Sequence, residues 1–212
     1  MIDRFGLYVI LTRPVIGYEA AAEAAVAAGV KYLQLRIKDE SEAFILNTAR
    51  HIRAITLDSK TRFIMNDSVD IAMAVDADGV HLGQDDLDIR EARKQWPVPG
   101  KIFGLSTHNP IQAAQAALHN PDYIGIGPVF ATPTKVIPDP VVGLQQMGEI
   151  VRQAPVTSVA IGGIDEQNLP DVLAHGAINF CAVRAIMESQ TPQTVIKRMM
   201  QVWVEVESNR KK

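Results

Sequence analysis

A single cysteine, Cys181, has nothing in this chain to pair with, so an internal disulfide is excluded and a reducing cytosol fits. It sits in the apolar run 180–183 and reads as a small core residue rather than a nucleophile. An excess of positive charge is lacking too. The formal net charge is -3, and the tail cluster Arg210-Lys211-Lys212 is too short to make a nucleic-acid surface. No basic-then-apolar segment opens the chain, and no apolar run approaches the length of a membrane span. The expectation is a cytoplasmic protein with neither membrane nor nucleic acid as a partner. No Gly-x-Gly-x-x-Gly follows the first apolar run, which counts against a dinucleotide-binding fold. No acid or base is spaced around Ser106 as in a triad motif, so nucleophilic serine chemistry is not expected.

What the chain has is alternation. Short apolar, β-rich runs at 7–12, 32–35, 62–65, 79–82, 101–105, 123–126, 157–161 and 178–183 are each followed by a helical pattern, at 18–28, 41–57, 69–75, 88–95, 110–119, 143–153, 166–175 and 192–206. Gly29 is placed to end the first helix, Ser41 to cap the second, and Pro110 to open the fifth, where its missing N–H costs nothing. The strands are apolar throughout rather than alternating, as expected of parallel strands buried on both faces. Eight such units, with no break in composition across 1–212, predict one α/β domain, a (β/α)8 TIM barrel. The last helix, with Trp203, either closes the barrel or contributes to a homodimer.

In such a barrel, functional residues lie at the C-terminal strand ends and in the loops that follow. Alternation along the second strand sends Gln34, Arg36 and Lys38 to one side, and cations at the inner rim want an anion. Asn66 and Asp67 follow strand three, and Asp85 and Asp86 follow strand four. Two carboxylates from neighbouring strand ends make the sparse oxygen set that Mg²⁺ takes when a phosphate completes its shell, although each Asp alone, Asp67 above all, reads first as a helix cap. His81, inside its strand, reads as a satisfied core histidine. Ser106 follows strand five as a hydrogen-bonding group.

After strand six comes a long loop, Gly127-Pro128-Val129-Phe130-Ala131-Thr132-Pro133-Thr134-Lys135, rich in hydroxyls and carrying one cation. Loops of this length in a compact domain are often binding loops or lids. Gly162 and Gly163 after strand seven, and Val183 and Arg184 after strand eight, stand where barrels of this kind often bind a phosphate through backbone N–H groups. The rim therefore offers two anion sites. Arg36, Lys38 and Lys135 with Mg²⁺ on Asp67 and Asp86 suit a diphosphate, and the metal-free site suits a phosphomonoester.

Taken in order, Gln34-Leu-Arg36-Ile-Lys38, Asn66-Asp67, the run 79–86, Gly104-Leu-Ser106, the loop 127–135 and Gly162-Gly163-Ile164 together resemble the thiamine phosphate synthase family. The resemblance extends from about Leu7 to the last helix. It implies a transferase that joins hydroxymethylpyrimidine diphosphate to a thiazole phosphate, carboxylated or not, giving thiamine phosphate and pyrophosphate through a pyrimidinylmethyl cation. It implies that Gln34, Arg36, Lys38, Asn66, Ser106 and Lys135 contact the pyrimidine diphosphate, with Lys135, Ser106 and Arg36 as the catalytic residues. It further implies that Asp67 and Asp86 hold Mg²⁺ and that Thr132, Thr134, Gly163, Val183 and Arg184 hold the thiazole phosphate. Arg184 stands where the family often has Ser, and Thr12-Arg13 where it has Thr-Asp. The thiazole tautomerases of the same superfamily are similar in fold but place a catalytic His where Pro128 stands. A non-catalytic phosphate-sensing barrel would need Gly162 and Gly163 but not Asp67, Asp86 and Lys135 together.

Overall fold

In a computed structural model that describes residues 2–132 and 139–210, the strands are built so that both faces are buried. Along β1 (Leu7–Leu11), Leu7, Val9 and Leu11 pack outward among the helices, while Tyr8 and Ile10 point into a separate inner core with Phe5, Ile64, Tyr123, Val159 and Cys181. That double burial is why the run reads as continuously apolar. β2 (Tyr32–Leu35), β3 (Arg62–Asn66), β4 (Gly79–Leu82), β5 (Ile102–Thr107), β6 (Tyr123–Ile126), β7 (Thr157–Ile161) and β8 (Asn179–Cys181) follow in spatial order, all parallel, and β8 pairs back with β1 to close the barrel. The (β/α)8 TIM barrel is the fold.

The helices stop and start for local reasons. α1 (Tyr18–Ala27) ends in a Schellman turn: Val30 N–H reaches Ala25 O, Gly29 N–H reaches Val26 O, and Gly29 adopts φ 78°. Ser41 caps α2 (Glu42–Thr56) by accepting from Phe44 N, and Asn109 caps α5 (Pro110–Ala117) with the proline in the first turn. α3 (Val69–Ala74) is capped by Ser68, α4 (Ile89–Gln95) by Asp88, and α6 (Gly143–Gln153) follows the long loop.

Several boundaries differ from the sequence pattern by a residue or two, and three differences have a clear local cause. α7 (Leu169–Ala174) begins later than 166, because Asp165 and Asn168 bond each other's backbone N–H groups in a turn ahead of it. β8 ends at Cys181, and the apolar residues after it enter a one-turn helix, α8 (Arg184–Met187), that the pattern did not announce. Burial made Ala182 and Val183 look like strand. The final helix α9 (Pro192–Arg210) runs past 206, held by Glu207, which is buried between Arg4 and Arg210. Trp203 closes the base of the barrel: its Nε1 donates to Ile178 O at 2.7 Å, and its ring lies where a Cβ on Gly6 would be, 2.8 Å away.

Candidate active site

At the opposite end, the C-terminal strand ends enclose a cavity of about 340 Å³. Gln34, Arg36, Lys38, Asn66, Asp67, Asp86, Ser106, Thr132, Gly163, Val183 and Arg184 all line it. Thr134 and Lys135 fall outside the described residues. Residues as far apart in sequence as Gln34 and Arg184 are thus brought around one opening by strand order alone.

The acidic side is set by a backbone choice. Ser68 accepts from Ile71 N and caps α3, so Asp67 is released from that duty. Its own N–H is tied to His81 O at 2.8 Å, and it holds φ 62°, in the left-handed region. Lys38 Nζ lies 3.0 Å from Asp67 Oδ2. Burial, then hydrogen-bonded contact with the Asp86 carboxyl, raises the Asp67 carboxyl above the usual carboxylate range despite Lys38. Asp86 is fixed in turn by Gly83 N–H, which donates to its Oδ2 at 2.6 Å. Two carboxylates so placed repel unless a proton or a cation sits between them. Among the described residues no group of three or more His, Cys, Asp or Glu gathers as a full protein cage. The pair fits Mg²⁺, which takes one or two carboxylates and completes its shell with water and phosphate.

Arg36 is half-buried on the cationic side and makes no ion pair among the described residues. Burial pulls its guanidinium below its ordinary value, Asp67 and Asp39 pull the other way, and it keeps its charge facing the cavity. Arg13 pairs outward with Asp39 at the exposed rim. Arg184 opens α8 and is exposed at the cavity edge.

Gly162 and Gly163 serve packing before any ligand. At φ 102° a Cβ on Gly162 would lie 2.5 Å from Pro128 Cα, and one on Gly163, at φ 65°, would lie 2.8 Å from Phe130 Cβ. The start of the long loop is laid against them, with Val129 N–H on Ile161 O and Phe130 N–H on Gly162 O. His108 joins the loop's two described ends: its Nδ1 donates to Gly127 O at 2.6 Å, and its Nε2 lies 3.6 Å from Asp139 Oδ2.

The floor adds to Gln34, His81 and Ser106 two residues that sequence reasoning missed, Tyr8 and Tyr123. Gln34 Nε2 donates to the Tyr8 hydroxyl at 3.0 Å; the Tyr8 and Tyr123 hydroxyls are 2.8 Å apart; Tyr123 is 3.1 Å from His81 Nδ1; and His81 Nε2 is 2.9 Å from Ser106 Oγ. His81 is hydrogen-bonded, as expected, but by Tyr123 on β6 and Ser106 on β5, and it is partly exposed on the cavity wall rather than enclosed in the core. The Tyr8 and Tyr123 hydroxyls are pushed well above their ordinary values by burial, so both stay protonated. Glycine makes the room: a Cβ on Gly104 would meet Tyr123 Cζ at 2.2 Å. Cys181 belongs to the same inner core, and burial alone pushes its thiol up, away from nucleophilic use.

Fold and site together define a TIM barrel whose C-terminal mouth combines cations, Arg36 with no ion pair among the described residues, with a carboxylate pair, a mouth suited to phosphorylated ligands. The model of the thiamine monophosphate synthase family matches residues 7–186, and the chain belongs to that family. Thiamine-phosphate synthase from Synechocystis sp. is 43% identical over 199 residues, which cover 94% of this chain and 57% of that protein. The enzyme of the same name from Archaeoglobus fulgidus is 37% identical over 185 residues, covering 87% of this chain and 86% of that one. The solved structure of thiamine phosphate pyrophosphorylase from Pyrococcus furiosus superposes with a TM-score of 0.86 at 31% identity, covering 95% and 96% of the two chains. The chain spans about half the length of five of the curated relatives it matches, 49% to 57% of each.

Proposed function

We propose that this chain joins 4-amino-2-methyl-5-hydroxymethylpyrimidine diphosphate to 4-methyl-5-(2-phosphoethyl)thiazole, releasing pyrophosphate and forming thiamine phosphate. The observation that carries the reading is convergence: every described residue named for the two substrates and the metal lines one cavity. Membership of the family supports it, as does Pro128 on the cavity wall, where a tautomerase would need a side chain able to move a proton.

In this reading the pyrimidine sits on the floor near Gln34 and Ser106, and its diphosphate faces Arg36 and Lys38. Asp67 and Asp86 would hold Mg²⁺, which when bound supplies charge neutralisation for the diphosphate. The carbon–oxygen bond breaks with its electron pair leaving on the diphosphate, whose developing charge Arg36 and Lys38 stabilise. The thiazole nitrogen then gives its lone pair to the pyrimidinylmethyl carbon, forming the new carbon–nitrogen bond. Thr132, Thr134, Gly163, Val183 and Arg184 orient the thiazole through its phosphate, Lys135 adds its charge on the diphosphate side, and the long loop excludes water from the cationic carbon.

The test is to mix both substrates with Mg²⁺, look for thiamine phosphate and pyrophosphate, and then omit each component in turn. Product that needs all three components supports the reading. Binding of both substrates without product identifies a sensor instead.

A further inference from the structure

The hydrogen-bonded row at the cavity floor crosses five strands and joins three cavity-lining side chains, Gln34 on β2, His81 on β4 and Ser106 on β5, through the Tyr8 and Tyr123 hydroxyls beneath them, and the proposed reaction leaves Tyr8, Tyr123 and His81 idle. One end of the row is fixed in polarity, because an amide nitrogen can only donate. The Tyr8 hydroxyl accepts from Gln34 Nε2, and a buried hydroxyl must place its own hydrogen on an acceptor. That acceptor is the Tyr123 oxygen at 2.8 Å. Tyr123 then donates to His81 Nδ1, which requires the neutral imidazole carrying its proton on Nε2. Nε2–H donates to Ser106 Oγ, and the serine hydrogen is left to point onward.

We propose that Tyr8, Tyr123 and His81 are positioning residues that impose one direction on this row, so that the floor meets a ligand with an acceptor at Gln34 Oε1 and a donor at Ser106 Oγ–H. A floor so polarised selects a flat, neutral heteroaromatic ring that carries a donor and an acceptor on its edge, and it rejects the ring with that order reversed. The inference deepens the reading of the site as one that takes an aminopyrimidine. The aromatic packing keeps the row rigid: His81 and Tyr123 are stacked with centroids 5.5 Å apart and planes 19° apart. Gly104 leaves the space in which the Tyr123 ring lies.

The first measurement needs no substrate. In protein labelled with ¹⁵N-histidine, the His81 signals, assigned by their loss in His81→Gln, report the tautomer directly. The wild type is expected to hold neutral imidazole with the proton on Nε2, and Tyr123→Phe to mix the two tautomers by removing the donor to Nδ1. Tyr32→Phe is the control. Tyr32 stacks on Tyr8 at 5.7 Å, but its hydroxyl bonds Asp3 and lies off the row, so the tautomer should not move.

The second measurement is turnover. Tyr8→Phe and Tyr123→Phe are each expected to lower kcat/KM for the pyrimidine substrate about tenfold, the worth of one buried hydrogen bond, while Tyr32→Phe keeps the wild-type rate. A wild-type His81 protonated on Nδ1, or on both nitrogens, overturns the proposal. So does wild-type turnover in both phenylalanine variants. If the wild type makes no thiamine phosphate at all, the functional reading fails, and the tautomer decides the direction of the row by itself.

Discussion

Asp67 holds a left-handed backbone at the mouth of the barrel, which costs a non-glycine residue about 1–2 kcal/mol. Nothing in the helix that follows requires it, since Ser68 supplies the cap; what the strain secures is a carboxylate turned toward Asp86. Replacing Asp86 with Ala removes half of the pair. Mg²⁺-dependent pyrophosphate release is expected to fall at least ~10²-fold, on the scale of single electrostatic contributions to a charge-developing step, with the circular dichroism spectrum unchanged. Unaltered turnover would remove the metal assignment. Lys135→Ala is expected to lose at least ~10²-fold in turnover by the same reasoning, and a near-normal rate would take the loop cation out of the reaction. Gly104→Ala acts at the floor: its methyl meets the Tyr123 ring, so stability should drop by about 3 kcal/mol, the upper end of overpacking costs, in a urea melt.

At the scale of elements, α9 is fastened at its C-terminal end, and the fastening is ionic. Burial pushes the Glu207 carboxyl up, but Arg4 and Arg210 outweigh it and hold it below its ordinary value of 4.5. A depressed carboxylate contributes stability that is present above its unfolded pKa and is lost as pH falls through the folded one. Wild-type stability should therefore decline as pH drops below about 4.5, and Glu207→Gln should flatten that acid limb. At pH 7 the substitution should cost about 1–2 kcal/mol, less than a fully buried pair because Arg4 is partly in water. An acid limb identical in the two proteins would show that the fastening lies elsewhere. None of this was visible in the chain's pattern, which let the last helix fade near 206, because Arg4 and Glu207 meet only once the barrel is closed. The rim was legible for the opposite reason. Gln34, Asp67, Ser106 and Gly163 each stand at the end of an apolar run, and the fold turns that position into a place at the mouth. The floor was legible only in part: His81 stood out inside its strand, but Tyr8 and Tyr123 face inward by a register that the uniform apolar runs conceal. The signal available was the glycine opposite Tyr123, Gly104, whose pairing appears only with the sheet.

For the whole molecule, the two ends of the barrel divide the work, and the division can be measured. The mouth carries the strained Asp67, the Arg36 guanidinium without an ion pair among the described residues, and the cavity; the base carries Asn179, which donates to Asp3 O and Ser158 O and accepts from Phe5 and Gly6 N–H, together with the Glu207 pairs. A ligand that binds only the folded state adds stability by mass action, about 2.7 kcal/mol at a concentration 100 times Kd, or roughly 5–10 °C in melting temperature for a chain of this size. Pyrophosphate with Mg²⁺ should produce such a shift in the wild type. Changes at opposite ends of the barrel share no partners, so their effects should add. Glu207→Gln should melt lower yet gain the full shift, whereas Asp86→Ala should melt near the wild type and gain little. If Glu207→Gln lost the ligand shift as well, base and mouth would be coupled through the strands, and the inner row from Tyr8 to Ser106 would be the first path to break by substitution.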